Sequence, residues 1–538
     1  MTIVLDGGGG CGKTTLALDV LLPLQEAFFG VQGVLRRAPG NKPARLIGGR
    51  TMHSGLGLTV DSSLRTHALA LNAQTQKKLA LTHVNAGAYH IDEYSQLRAE
   101  LNNAAAVRTT HARREQHALD IKVYYKPQER YGRISTLTYS GDHLQLPPVP
   151  ATSSVLAAID GTSKEHRAGA SIFRNAELVF EFQQAMRFTD ATLIGILECM
   201  RTPGGKTLTS EQWQSLLRTE LNAAQPDVPP GWYHSCYCWS VTTMASYMVA
   251  RQSANRCNQP LIYVQAVDEP NGLWPQTNTR ELFKELIRIP SLSQTKRLPG
   301  VVLFHHGMRM RLTATIQQPF AVQDVECTVV GFDHDPADGI RSNLRADSQN
   351  EMRCTRLPKA IYVKLDECDH TFLPPGTCTL HRTCGHDANC EDCVSAVQPG
   401  VFAVKPLSRT WQYYPPDSGG KYIPVTRHQF PLMPVEAVPL YSMQGTTADP
   451  GLVAYWMFPL RCTKTIQWLI VYVTLSRPRS LSQLKSVNLT KKIREIIEGG
   501  PPDDLVQAFR GLFAEKIEAT RKLAEDAARQ YGLLEGLI

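Results

Sequence analysis

Eight residues constrain this chain more than any others. Gly7-Gly8-Gly9-Gly10-Cys11-Gly12-Lys13-Thr14 fit the pattern G-x-x-x-x-G-K-[ST]. Glycines let successive backbone N–H groups turn inward around a phosphate, where side chains would block the approach. The N-terminus of the following helix adds a favourable dipole. A short apolar run at residues 2–6 precedes the loop, and a helical pattern over Thr15–Phe28 follows it. Strand, glycine loop and helix form the opening unit of a parallel α/β domain. Lys13 is expected to bridge the β- and γ-phosphates and Thr14 to ligate Mg²⁺, with Gly7, Gly10, Gly12 and Thr15 completing the cradle. A flexible glycine linker would explain neither the Lys-Thr pair nor the strand. The loop alone does not name the reaction, because kinases, GTPases, transporters and helicases share it.

At 538 residues the chain is too long for one core, and about three or four units are expected. A net charge of +8 permits a polyanionic partner without requiring one. No run of apolar residues is long enough to span a membrane. The first residues, Met1–Asp6, have neither the positive region nor the small residues of a signal peptide. The thirteen cysteines are odd in number and scattered, one of them inside the phosphate loop. That distribution points to a reducing, intracellular compartment.

Further strands are expected at Ala44–Gly48, Ala88–Ile91 and Ile134–Tyr139, with a helix over Ser63–Leu81 between them. A second α/β region begins near Glu177, with helices at Asp190–Met200 and Thr242–Arg256 and a strand at Leu261–Val264. From about Leu298 to Phe430 the character changes. Prolines, glycines, cysteines and alternating segments (Gly300–Leu312, Glu326–Phe332, Ala360–Leu365) predict a β-rich insertion. The α/β pattern returns at Gln467–Leu475, where the apolar stretch Trp468–Leu475 reads as a buried strand. From Asp503 to Tyr531, Leu505, Phe509, Leu512, Phe513, Ile517, Leu523 and Ala527 fall at helical spacing. The simplest role for that tail is a packed C-terminal helix; the alternative is a partner-binding one.

Two stretches add chemistry to the phosphate loop. Tyr89-His90-Ile91-Asp92-Glu93 places two acids at a strand end. Asp92 would hold the Mg²⁺ shell and Glu93 would orient and deprotonate the attacking water. An adjacent pair of this kind favours ATP hydrolysis over phosphoryl transfer to an alcohol. His90 reads as a satisfied core histidine. In Ser140–Val149, Gln145 stands where it could report the γ-phosphate, and the Leu-Pro-Pro beyond it makes a stiff loop.

Taken together, these residues resemble the PIF-type family of superfamily-one DNA helicases, relatives of RecD, in the family's own order. Gly49–Ser54 looks like its second motif and Asp92–Leu97 is similar to its D-E-x-S-M segment. Gly141–Val149 matches G-D-x-x-Q-L-P-P-V, the most family-specific stretch. Gln184–Asp190 resembles the arginine motif, and Arg427–Leu432 the segment before the fifth motif. Gln444-Gly445-Thr446-Thr447 matches Q-G-x-T, and Tyr472–Leu481 resembles the last motif.

The resemblance implies two RecA-like P-loop domains that sandwich one ATP, with an SH3-like insertion in the second. The expected division is a first motor domain at 1–175, a second split between 176–297 and 431–490, the insertion at 298–430 and a helical tail at 491–538. It also implies that Glu93, Gln145, Arg187 and Arg477 are catalytic, that Gly445 belongs to the nucleotide site, and that His53, Ser54 and Thr447 hold DNA phosphates. The expected activity is ATP- and Mg²⁺-dependent unwinding with 5′-to-3′ polarity by a monomeric motor acting on single-stranded and forked DNA. Repair, recombination and telomere maintenance would be its settings, in the nucleus or mitochondrion if the source is a eukaryote.

The chain departs from the family in three places. The upstream glutamine segment that reads adenine is absent, so either the chain is truncated there or adenine is held differently. Cys11 replaces a threonine, and Tyr441-Ser442-Met443 replaces H-K-S. A motor-degenerate, ATP-gated nucleic-acid binder and an RNA helicase therefore stay as alternatives. A phosphate-loop kinase is disfavoured by the Asp-Glu pair and the late arginines.

Six cysteines lie between Cys354 and Cys393, interleaved with His370, His381 and His386. Cys384, Cys390 and Cys393, with Cys378, His381 or His386 as the fourth ligand, could make a tetrahedral zinc site. Reduced surface cysteines are the alternative. Trp411, Tyr413 and Tyr414, near Lys405, Arg409 and Lys421, could stack bases, or belong to the core or surface of the β-domain.

Overall fold

The computed structural model describes residues 1–58, 72–117, 131–221, 228–271, 279–333, 341–344, 350–373, 399–415 and 419–533. Its first lobe is built on a six-stranded, wholly parallel sheet. The strands are β1 (Thr2–Gly7), β2 (Val34–Ala38), β3 (Arg50–Thr51), β4 (Ala88–Ile91), β5 (Thr136–Gly141) and β6 (Leu178–Phe182), in the order β3-β2-β4-β5-β1-β6. Strand β1 lies between β5 and β6, so the glycine loop leaves an interior strand at the carboxyl edge of the sheet, where ligands of such sheets bind. The second lobe has a four-stranded parallel sheet from Ala437–Pro439, Tyr233–Cys236, Leu452–Tyr455 and Leu484–Val487. Between 298 and 430 strands dominate, as expected. The largest sheet there is antiparallel, of Val401–Val404, Ala360–Leu365, Glu326–Asp333 and Arg309–Leu312, closed on one edge by Leu432–Pro434.

Several sequence expectations need correction. The segment expected as a strand at Ala44–Gly48 belongs to a helix, Asn41–Leu46. The strand of that region is β2, whose consecutive Arg36 and Arg37 interrupt the apolar run that would have marked it. Gln467–Leu475 is part of a helix, Lys464–Leu475. All of Trp468–Leu475 is buried, so the run shows no polar face and its β-branched residues suggested a strand. The readable signal was Thr463, whose side chain accepts a hydrogen bond from the Ile466 N–H at 3.2 Å and starts the helix. Within the first helix, Ala17–Leu21 forms a π turn just before Pro23. Pro23 cannot donate to the previous turn, which accounts for the wider winding. Of the helix expected over Ser63–Leu81, the described part runs from Ala73, capped by Asn72. Residues 63–71 lie outside the described residues.

The C-terminal helix, Asp503–Gln530, leaves the second lobe after the helix Lys491–Glu498 and returns to the first. Phe509 and Phe513 are fully buried there with Tyr94, Tyr139 and Phe173. Each buried ring contributes about 2 kcal/mol. Thr520 Oγ1 accepts from the Val179 N–H at 3.0 Å. The expected stripe is buried only this far, because Leu523 and Ala527 are exposed. Trp411 and Tyr413 are buried with Leu282, Leu286, Ile423 and Val425, which settles them as core; Tyr414 is exposed.

Candidate active site

The loop after β1 enters the first helix through Gly10 and Gly12, both with left-handed φ (+84° and +79°). At Gly10 the absence of a side chain is required twice. The left-handed φ disfavours a side chain, and a Cβ would stand 2.5 Å from the Cβ of Arg187; the Gly10 carbonyl also accepts from the N–H groups of Met186 (2.8 Å) and Arg187 (3.1 Å). The second lobe therefore grips the loop by its backbone. Lys13 Nζ donates to the carbonyls of Gly7 (2.7 Å) and Gly8 (2.9 Å), which holds the ammonium across the loop.

One cavity of about 220 Å³ collects most of the expected site. From the first lobe it is lined by Gly10, Gly12, Lys13, Thr14, Thr15, Asp92, Glu93 and Gln145, and from the second by Arg187, Gly445 and Arg477. Gly7 stands outside the lining, and its contribution is the carbonyl that orients Lys13. His53, Ser54 and Thr447 do not reach the cavity either. Thr51 caps the short helix that carries His53 and Ser54. Burial and nearby Arg98 hold His53 below the ordinary histidine range.

Glu93 is the most unusual residue of the cavity. Its backbone is left-handed (φ 56°, ψ 50°), a conformation that costs a non-glycine residue free energy and clusters at functional sites. Burial, reinforced by Asp92 and opposed by Lys13 and Arg477, pushes its carboxyl up to about 7. Gly445, also left-handed, makes room for it, since a Cβ there would stand 3.0 Å from Glu93 Oε1. Asp92 is oriented by Ser140 Oγ, which donates to it at 2.6 Å and also contacts His90 Nε2 at 3.1 Å. His90 is buried as expected, with a single ring nitrogen partnered.

Arg477 is fully anchored. Its Nε donates to the Val473 carbonyl (2.9 Å), Nη1 to those of Met443 (3.2 Å) and Thr446 (3.3 Å), and Nη2 to Ser476 Oγ (2.8 Å). It thus fixes the Gln444–Thr446 turn while facing the loop. Burial and Arg187 push it down to about 10, against the pull of Glu93. Asp190 stitches the two arginine segments together, accepting from Thr192 N at 2.8 Å and Leu481 N at 2.9 Å. Three buried polar atoms of cavity residues have no hydrogen-bond partner: Glu93 Oε2, Gln145 Oε1 and Arg187 Nη1. Buried polar atoms are normally paired, so these mark the place for a polar ligand. The hard oxygen donors Thr14 and Asp92 beside them suit Mg²⁺.

Sequence reasoning missed the network that joins the lobes behind the loop. Asp142, one residue past β5, accepts from Tyr472 Oη at 2.8 Å and Arg201 Nη1 at 3.4 Å, and Arg201 also donates to Tyr472. Asp6 accepts from the Tyr94 hydroxyl, from the His143 N–H at 3.0 Å and, through its other oxygen, pairs with His143 Nδ1 at 2.8 Å. Burial works against the Asp6 carboxylate, but His143 beside it prevails and holds it well below its ordinary range. Asp6, Asp142 and His143 lie close enough to bind a metal, yet these bonds already occupy them. Gln444 makes a further bridge, accepting from Gln96 Nε2 at 2.5 Å and donating to the Leu146 carbonyl at 3.1 Å. The motif resemblance runs through Tyr94, Gln96, Asp142, His143, Gln444 and Tyr472 without giving them this role, and Asp6 and Arg201 lie outside its motifs. Cys378, His381, Cys384, His386, Cys390 and Cys393, named for zinc, lie outside the described residues.

No protein-family model and no curated protein matches the sequence. Solved structures do. The Pif1 helicase of Candida albicans aligns over 96% of this chain and 96% of its own, with a TM-score of 0.55 and 18% identity. Bacteroides Pif1 bound to single-stranded DNA aligns over 96% and 94%, at 0.55 and 17%. Pif1 from Bacteroides with ADP-AlF3 and single-stranded DNA covers the same shares, at 0.54 and 17%. Across nearly its whole length, then, this chain resembles the PIF1-type helicases and has their two-lobed α/β fold.

Proposed function

We propose that the chain is an ATP-dependent DNA helicase. The reading is carried by one observation. Lys13 and Glu93 of the first lobe and Arg187 and Arg477 of the second line a single cavity on the glycine loop. In this reading Lys13 and the loop amides hold the β- and γ-phosphates. Glu93, with its carboxyl near neutrality, orients the attacking water and takes its proton. Gln145 contacts the terminal phosphate. Arg187, with an unpaired nitrogen in the cavity, and Arg477 stabilise the charge that develops there. Mg²⁺ bound by Thr14 and Asp92 would neutralise phosphate charge. We place the base and ribose in the adjoining cavity of about 570 Å³, which begins at Gly8, Gly9 and Cys11 and is bordered by Phe182, Gln184 and Phe188.

Loss of the terminal phosphate removes what Lys13, Arg187 and Arg477 share, so part of the grip between the lobes depends on the nucleotide. That dependence makes ATPase turnover usable for movement along a strand. His53, Ser54 and Thr447, outside the cavity, are read as strand contacts, and the antiparallel sheet of the second lobe as the SH3-like insertion. DNA as the strand is supported by structural neighbours described as bound to single-stranded DNA and as unwinding forked duplex. We assign 5′-to-3′ polarity, monomeric action and a place in genome maintenance on the motif resemblance. The test is ATPase activity with and without single-stranded DNA or RNA, in wild type and Lys13→Ala. DNA should raise the wild-type rate, RNA should raise it less, and the variant should be inactive. Equal rates with and without nucleic acid would refute a motor, and ATP binding without turnover would favour an ATP-gated binder.

A further inference from the structure

The first lobe holds another cavity, of about 370 Å³, away from the candidate nucleotide site. Its cations are Arg37 of β2, Arg50 of β3 and Lys78 on the helix Ala73–His83; Ser54, Thr75 and Thr82 bring hydroxyls. Among the described residues no carboxylate lines it.

Arg37 is the unexplained member. It is 6% exposed, its Nη1 donates to the Arg36 carbonyl at 2.8 Å, and its Nε has no hydrogen-bond partner. Alternate residues of a strand face opposite sides of the sheet, and the contrast between neighbours is sharp. Arg36 pairs with Glu26, whereas Arg37, whose guanidinium lies 5.8 Å from the Tyr89 ring centre, has no carboxylate partner among the described residues. Burial lowers its affinity for the proton, the Tyr89 hydroxyl opposes this, and Arg50 lowers it further. Space is reserved for it, because a Cβ on Gly55 would stand 2.3 Å from Arg37 Nε. Holding a guanidinium in a buried place without a counter-charge is costly unless an anion enters.

We propose that this cavity binds a phosphate group, with Arg37 at its floor and Arg50 and Lys78 at its mouth. A guanidinium suits a phosphate because several donors meet several oxygens. Ser54 lines the same cavity, so the phosphate we favour belongs to the backbone of a nucleic-acid strand lying on that helix. This choice of source rests on the helicase reading; the chemistry of the cavity does not. Free phosphate or pyrophosphate offers the same oxygens.

The experiment uses the full chain. Binding of a fluorescent single-stranded oligodeoxynucleotide is followed by anisotropy across a salt series, and thermal unfolding is followed with and without inorganic pyrophosphate. Variants are Arg37→Gln and Lys78→Ala, with Lys77→Ala as control: Lys77 is exposed on the same helix and does not line the cavity. Lys78 is also exposed, so its variant reports even if Arg37→Gln folds poorly. The expected result is severalfold weaker binding for Lys78→Ala, with the salt slope reduced by about 0.7 for the lost contact. Lys77→Ala should lose less on both counts. If wild type ignores the strand but gains thermal stability from pyrophosphate through Lys78 or Arg37, the phosphate site stands and the helicase reading fails. If Lys78→Ala behaves as Lys77→Ala in both assays while wild type binds the strand, the cavity is not a phosphate site and the helicase reading survives.

Discussion

The cleft around Lys13 and the pocket around Arg37 both gather cations, but only the cleft supplies its own carboxylates. In the cleft Asp92 and Glu93 face Lys13, Arg187 and Arg477; the described lining of the pocket has no acid at all. On the proposed function, that difference would separate reacting from holding. Hydrolysis needs a group that can take a proton, and that group must sit among positive charges without being fully neutralised by them. Burial of Glu93 achieves this by lifting its carboxyl to about 7. Retaining a phosphodiester needs no proton transfer, so cations and hydroxyls suffice.

Three changes probe that contrast, in order of expected effect. Glu93→Gln should lower kcat for ATP hydrolysis about a thousandfold while nucleotide still binds, as expected for loss of a general base. A variant with near wild-type turnover would erase the distinction between the two sites. Arg187→Ala should lower kcat about a hundredfold with little change in nucleotide affinity, and Arg187→Lys should recover only part of it. A cation of the pocket, by contrast, should act through strand affinity. The third probe is pH. A general base works deprotonated, and Glu93 is protonated below about 7. kcat/KM should therefore fall about tenfold per pH unit below that point and level off above it. Strand affinity at fixed salt should not follow that curve, since burial keeps His83 neutral and lowers the proton affinity of His53, and the pocket has no carboxylate among its described residues. Parallel curves would mean that one titration governs both.

Local chemistry was readable in the sequence because it is contiguous. Gly7–Thr14 and Asp92-Glu93 each occupy a few neighbouring residues, and the elements presenting them follow from short apolar runs. Arg187 and Arg477 were reached through motif resemblance, and the fold brings both to the loop. What stayed hidden depends on distant partners or on backbone geometry. Nothing in the segment around Arg201 announces Asp142 and Tyr472. The left-handed turn at Glu93 leaves no mark on residue type. The helix Lys464–Leu475 was mistaken because complete burial removes the periodicity by which helices are recognised. Arg37, inside a strand, looked like an interruption and proved to be the floor of a cavity.

The return of the C-terminal helix to the first lobe has a mechanical consequence. The polypeptide passes between the lobes twice, once after Phe182 and once before Asp503, and Gln183 and Pro501 border the same 570 Å³ cavity. Two pivots set side by side leave the halves one easy axis of rotation and resist torsion about any other. The base and ribose that we place in that cavity would lie beside that axis.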